Sequence, residues 1–317
     1  MINNGKQAKI VYLGTPDFAV APLKALVENG YNVVAVVTNP DKPVGRKQVL
    51  TPPPVKEYAL SQGIPVYQYA KIRAEGLADM RFLAPDLMIT CAFGQILSQE
   101  LLDIPPLGVY NIHGSLLPKY RGASPIQAAV LSGEKETGVT VMKTDIGVDT
   151  GDMLLTKKIP VGRHSSASLF QELSTLGAEA ILEAMPLILS GNPTLVKQEE
   201  SLATLTKTIK KEQAEICWNQ SAEGVDNFVR GMYDWPVAFT HLNGEIVKIL
   251  EGEPLSLAHT EKAGTVLSAD KRGIIVACKT DAFLIKRLQF TGGKPLTAAD
   301  AVNGRKVAQG NVFGKEV

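Results

Sequence analysis

Cysteine is scarce in this 317-residue chain. There are three, Cys91, Cys217 and Cys278, an odd number, far apart and without a CxxC pair. That excludes a disulfide framework and a cysteine-based zinc site, and it predicts buried thiols in a reducing compartment. An excess of charge of one sign is also missing. Thirty-three Lys and Arg face 32 Asp and Glu, a formal +1, so bulk charge gives no argument for a nucleic-acid partner and any such surface must be local. No apolar run is long enough to span a bilayer, and the short polar start, residues 1–9, does not read as a signal peptide. The expected location is the cytoplasm, with no membrane partner. The opening strand is not followed by GxGxxG, so a dinucleotide site fails its first requirement. Hydrophobic content of 45% with 21% charged residues describes an ordinary globular chain, and its length favours two domains.

What is present is concentrated in three polar residues. Asn111 and His113 stand two apart inside Gly-Val-Tyr-Asn-Ile-His. If residues 109–113 form a strand, both side chains leave the same face, while Tyr110 and Ile112 leave the other. The turn formers Gly114 and Pro118 follow, placing the pair where a strand runs into a loop, the usual position of a ligand in an open α/β sheet. Asp149 lies in Asp-Ile-Gly-Val-Asp-Thr-Gly-Asp, a loop in which Gly147 and Gly151 permit close backbone approach.

Residues 9–190 alternate short β-branched runs with helical stretches, the pattern of a parallel sheet with crossover helices. Strands are expected at 10–13, 33–37, 65–67, 87–90, 109–112 and 138–142, with helices at 21–28, 126–131 and 168–189. Beyond Gly191-Asn192-Pro193 the pattern changes. A helix is expected at 222–232 and five short strands at 237–242, 245–250, 265–268, 274–278 and 283–288. Asn243-Gly244 joins the first two strands and is a strong hairpin signal. The fold class is therefore α/β, with a Rossmann-like domain over residues 1–190, a linker over 191–213, and a small β-barrel or curled sheet over 214–317.

An amide and an imidazole aimed at one spot can stabilise the oxyanion of a carbonyl under attack by an amine; a carboxylate nearby can manage the protons that such a transfer moves. Each feature alone has a plainer reading. Asn-x-His is more often a hydrogen-bonded strand end, and an acidic Gly loop is more often a turn. Asp145, Asp149 and Asp152 lack the alternating ligands and closing Glu of a calcium loop, so no metal is expected.

Taken together, Asn111, His113 and the Gly-Val-Asp-Thr-Gly loop resemble the formyltransferases that use 10-formyltetrahydrofolate. The segment Ser115-Leu116-Leu117-Pro118-Lys119-Tyr120-Arg121-Gly122-Ala123-Ser124-Pro125-Ile126 is similar to the tRNA-acting branch of that family, and Leu13-Gly14-Thr15-Pro16-Asp17-Phe18-Ala19 is similar to the family's opening strand-turn-helix. The resemblance continues through Ala214-Glu215-Ile216, Trp218 and Trp235-Pro236 to Asn303-Gly304, covering nearly the whole chain. It implies a catalytic Rossmann-like domain followed by an OB-like barrel. It also implies transfer of a formyl group to the α-amino group of methionine on initiator tRNA. Asn111, His113 and Asp149 would be catalytic. The folate would lie against Phe93, Gly94, Gln95, Ser115, Leu116, Leu117 and Pro118.

Residues 39–46, with 51–56, resemble the family's loop for the tRNA acceptor end, which nominates Lys42, Arg46 and Lys47. Lys207 and Lys210 are nominated near the linker. The chain departs from the family where Lys47-Gln48-Val49 replaces a more basic, glycine-containing run, and at Thr208 and Cys217, which puts individual tRNA contacts in question. Residues 201–317 hold 15 basic against 13 acidic residues, so only clusters could meet phosphate. The chain is expected to act as a monomer. Two rivals remain at this level: a formyltransferase for an amino-sugar nucleotide, and a non-catalytic RNA- or nucleotide-binding protein on the same scaffold.

Overall fold

The computed structural model describes residues 5–45 and 47–315, and divides into two compact units. The first comprises residues up to Pro125 with Glu136–Pro160 and Phe170–Thr206; the second comprises Ile126–Lys135, Val161–Leu169 and the residues from Lys207 onward. The expected linker, 191–213, is thereby divided, because its residues up to Thr206 pack with the first unit.

Eleven strands belong to the first unit: β1 (Ile10–Gly14), β2 (Val33–Thr38), β3 (Lys42–Val44), β4 (Val49–Thr51), β5 (Val66–Gln68), β6 (Leu87–Cys91), β7 (Val109–His113), β8 (Arg121–Gly122), β9 (Glu136–Lys143), β10 (Met153–Pro160) and β11 (Leu205–Thr206). Seven form the main sheet in the order β10-β9-β7-β6-β1-β2-β5. From β5 to β7 every neighbouring pair is parallel, whereas β7–β9 and β9–β10 are antiparallel. β1 and β6 are buried at every position, which explains their unbroken apolar sequence, since a central parallel strand has no solvent face. Two short pairs stand apart, β3–β4 as a hairpin and β8–β11 in parallel.

The chain builds β1, β2 and β5 to one side and then returns to add β6 on the other side of β1. That reversal opens a crevice at the carboxyl ends of β1 and β6. Gly14 closes β1 where a Cβ would meet Ala19 Cβ at 2.7 Å and the Cys91 carbonyl at 3.1 Å; only glycine lets these turns close so tightly. Behind β7, Gly177 of the helix Ser166–Leu189 lies so close that its Cβ would stand 3.2 Å from Ile112. Ser174 on the same helix donates to the Phe18 carbonyl at 2.9 Å. Ile112 is therefore packed on one face of β7, which turns Asn111 and His113 to the other.

The second unit contains β12 (Phe239–Leu242), β13 (Glu245–Leu255), β14 (Val266–Asp270), β15 (Gly273–Ala277), β16 (Ala282–Phe290) and β17 (Leu296–Thr297). They form one antiparallel sheet, β12-β13-β16-β15-β14, with β17 beside β16. Asn243 and Gly244 both take positive φ, 51° and 78°, as a two-residue hairpin turn of the primed type requires. Register shifts near Glu251 and Gly252 add curl to β13. The core of this unit includes Trp218, Val225, Val247, Ile274, Phe283 and Leu288, and Trp218 donates its indole N–H to Thr240 at 3.0 Å.

Candidate active site

Asn111 and His113 end β7, and Asp149 reaches them from the loop between β9 and β10. Asn111 Nδ2 donates to Asp149 Oδ1 at 3.3 Å, while His113 Nδ1 stands 3.5 Å from Asp149 Oδ2. The three groups that the sequence placed together thus meet within the first unit. His113 is buried, and the Asp149 side chain keeps 17% of its exposure, so the carboxylate retains an opening to solvent.

Neighbours fix what each group can do. Thr90 lies opposite Asn111 in the β6–β7 register, and its hydroxyl donates to Asn111 Oδ1 at 2.9 Å. With its oxygen occupied, the amide must turn its NH2 toward Asp149 and the cleft. One N–H goes to the carboxylate and the other is available to a substrate oxygen. His113 Nε2 lies 3.0 Å from the Tyr120 carbonyl. A carbonyl can only accept, so Nε2 carries a proton and Nδ1 is the ring nitrogen that faces Asp149. The Gly122 N–H donates to Asp149 Oδ2 at 2.8 Å. Gly122 takes φ +98°, and a Cβ there would meet the Thr206 carbonyl at 2.6 Å. Asp149 itself has φ +54°, a left-handed conformation that asymmetric residues hold only when their surroundings impose it.

Asp145 serves the shape of this loop. Asp145 Oδ1 accepts from the Gly147 N–H at 3.1 Å and from Thr150 Oγ1 at 2.6 Å, closing a turn of the kind short acidic side chains favour. Among the described residues, no group of three His, Cys, Asp or Glu is arranged to hold a metal ion.

The residues nominated for folate divide into two loops. Ser115 is fully buried, and its hydroxyl donates to the Lys119 carbonyl at 2.7 Å. Thr140 on β9 donates to the Ser115 carbonyl at 2.8 Å and accepts from the Leu117 N–H at 3.2 Å. The run Ser115, Leu116, Leu117 and Pro118 is thereby pinned beside His113. The other loop follows β6. Phe93 is 4% exposed and packs with Val11, Leu13 and Met88, so its ring belongs to the core. Gly94 has φ +75°. Gln95 donates to Asn39 Oδ1 at 2.6 Å and the Tyr69 carbonyl at 2.8 Å, and accepts from the Ile72 N–H at 2.7 Å. Its amide thus ties together the loops at the carboxyl edge of the sheet.

Lys42 lies on β3 and Lys47 in the β3–β4 turn, both exposed; Arg46 falls outside the described residues. Lys56 anchors the base of that hairpin through Asp41 at 2.8 Å, and this ammonium, with Gln68, holds the Asp41 carboxyl below its ordinary value. Lys207 and Lys210 are exposed and lie in the second unit.

Sequence reasoning missed Thr90, the Tyr120 carbonyl and the Gly122 N–H. Only Thr90 left a signal, as a polar residue at the end of an otherwise apolar buried strand. The loop geometry around Asp149 depends on contacts that no local pattern records.

Comparison with known proteins agrees with this architecture. Residues 8–185 match the model of the formyl transferases, and residues 208–306 match that of the formyl transferase C-terminal domain. The chain belongs to the formyl transferase family. It is 44% identical over 309 residues to the methionyl-tRNA formyltransferase of Bacillus subtilis, covering 96% of this chain and 98% of that protein. It is 43% identical over 311 residues to the protein of the same name from Ruminiclostridium cellulolyticum, covering 97% and 100%. Among solved structures, the sugar 3N-formyl transferase WlaRD shares the fold with a TM-score of 0.66 at 20% identity, over 92% of this chain and all of that one. HypX from Aquifex aeolicus, solved with tetrahydrofolic acid, gives 0.64 at 18% identity, over 93% of this chain and 47% of that one. No helix among the described residues is long and apolar enough to cross a membrane.

Proposed function

We propose that this formyl transferase moves the formyl group of 10-formyltetrahydrofolate to the α-amino group of methionyl initiator tRNA. The observation that carries the reading is the meeting of Asn111, His113 and Asp149 at the end of β7, in a chain that methionyl-tRNA formyltransferases match along 97% of its length. The same reading has the enzyme acting as a monomer in the cytoplasm, where three thiols without a disulfide are in keeping with a reducing medium.

In the reaction, the neutral amine attacks the formyl carbon, a C–N bond forms, and the carbonyl oxygen becomes an oxyanion. The second N–H of Asn111 serves that oxygen; a donor so placed is worth about 2.7–4 kcal/mol. The C–N10 bond then breaks. The proton that the amine gives up must reach N10 of the departing folate, so the reaction balances without any other reactant. Asp149, partly open to solvent, accepts that proton directly or through water, and the His113 ring beside it completes the path. The pinned run from Ser115 to Pro118 and the Phe93-Gly94-Gln95 turn supply the folate side. Lys42 and Lys47, with Lys207 and Lys210, supply cations for the tRNA.

The test offers radiolabelled formyl donor to the enzyme with charged initiator tRNA and, in parallel, with a nucleotide amino sugar. Label is expected in the tRNA. Label in the sugar alone would transfer the assignment to the sugar branch, and label in neither would leave a binding protein.

A further inference from the structure

The stretch between the helix Ser166–Leu189 and the second unit reads as a connector, yet it is fastened across the catalytic loops. Val196 and Met153 exchange two backbone hydrogen bonds of 2.8 Å each. Thr204 Oγ1 accepts the Tyr120 N–H at 2.8 Å and its carbonyl accepts the Arg121 N–H at 2.8 Å; β11 then pairs with β8. Between these two anchors stands Gln198. Its Nε2 donates to the carbonyls of Asp149, at 2.8 Å, and Gly151, at 2.7 Å. Its Oε1 accepts from Arg121 Nε at 2.9 Å. The Arg121 guanidinium is 4% exposed and forks onto Glu200 at 2.7 and 3.0 Å.

We propose that Gln198 is a positioning residue for formyl transfer, fixing the backbone of the Asp149 loop so that its carboxylate stays between Asn111, His113 and the Gly122 N–H. The inference rests on the role proposed above for Asp149. Gln198 touches none of the reacting groups; it grips two carbonyls of a loop whose key residue sits at φ +54°. That conformation persists only while neighbours impose it, and both Nε2 protons are spent on imposing it. The anchors at Val196 and β11 use main-chain groups. Substituting Gln198 by alanine leaves those anchors intact and removes its bonds to the loop and to Arg121 Nε, whereas glutamate keeps the acceptor for Arg121.

Single-turnover and steady-state rates are compared for the wild type, Gln198→Ala, Gln198→Glu, Asp149→Asn and the Gln198→Ala/Asp149→Asn double variant. Gln198→Glu keeps the side chain's shape and its acceptor toward Arg121, but sets a carboxylate against the two carbonyls, so it is a second test if the alanine variant folds poorly. Both single variants at Gln198 are expected to lower kcat about ten- to a hundredfold, the scale of an ångström's misplacement, with KM for each substrate changed less than about twofold. In the Asp149→Asn background the alanine substitution is expected to cost less than about twofold more, because the group it positions is already disabled. A purely structural role would multiply in full. Gln198 variants with wild-type kcat, or full multiplication in the double variant, would overturn the inference. Near-normal turnover of Asp149→Asn by itself would overturn instead the assignment of Asp149, and with it the positioning role.

Discussion

Asn111 can act as a donor toward substrate because its oxygen is already held by Thr90. Thr90→Val preserves shape and removes that hold, leaving the amide able to turn over. A net hydrogen bond is worth about 0.5–1.5 kcal/mol, so kcat is expected to fall roughly three- to tenfold with little change in Tm, read from steady-state rates beside a melting curve. His113→Ala and Asp149→Asn remove the groups themselves and are expected to cost on the order of 10² to 10⁴ in turnover; a near-normal rate in either would remove that residue from the mechanism. The thiols follow from burial: desolvation pushes Cys91 and Cys278 each up to about 12, whereas Cys217 is exposed. A disulfide reagent at about pH 8 is therefore expected to titrate one thiol quickly in the native protein and three after denaturation, since only a thiolate reacts. At this scale the sequence disclosed the shared face of Asn111 and His113, because a period of two is local. It concealed Thr90, because which residue lies opposite Asn111 is decided by the register of two strands whose facing residues stand 21 positions apart.

The element that the sequence described least well is the one crossing the active-site loops. Residues 196–206 carry neither helical nor strand periodicity, so nothing local distinguishes them from a tether, and their order comes from hydrogen bonds to β8, β10 and the Asp149 loop. β10 escaped for a related reason. It is an edge strand with Lys157 and Lys158 in its sequence and no fully buried position, so its apolar alternation is weak. The central strands, buried on both faces, were legible from their β-branched runs alone. The strap also has a pH signature. Arg121 holds the Glu200 carboxyl below its ordinary value of 4.5 through their forked hydrogen bonds. A depressed carboxyl stabilises the fold in full above its unfolded value and loses that contribution as the pH falls through the folded one. Hydrogen exchange at residues 196–206, corrected for intrinsic rates, is therefore expected to speed up relative to the central strands below about pH 4.5. Glu200→Gln should remove that dependence, and equal protection of the strap at low and neutral pH in the wild type would count against the fork as its fastener.

Across the whole molecule, chemistry and charge are distributed differently. The proposed chemistry is confined to the first unit, while the total charge of +1 is too small to draw in a polyanion by itself. Binding of tRNA must then depend on a few cations acting singly, and each phosphate they neutralise releases counterions. For single-stranded nucleic acid, log affinity falls against log salt with a slope of about −0.7 per phosphate contact. Titrating the binding of charged initiator tRNA over roughly 50 to 200 mM salt is expected to give a clear negative slope for the wild type. Lys207→Ala and Lys210→Ala should each make it shallower by about 0.7. Catalytic turnover at saturating tRNA should be unaffected, since neither lysine is assigned a part in the chemistry. Lys42→Ala and Lys47→Ala probe the β3–β4 hairpin in the same way. A slope that survives all four substitutions would place the phosphate contacts on other cations, with Lys271, Arg272, Lys286 and Arg287 next in line. Of these, Arg272 is already paired with Asp270 at 2.7 Å and Lys286 with Glu253 at 2.6 Å. Each must give up a carboxylate to take a phosphate, so they are expected to contribute less to the slope than the exposed lysines at 207 and 210.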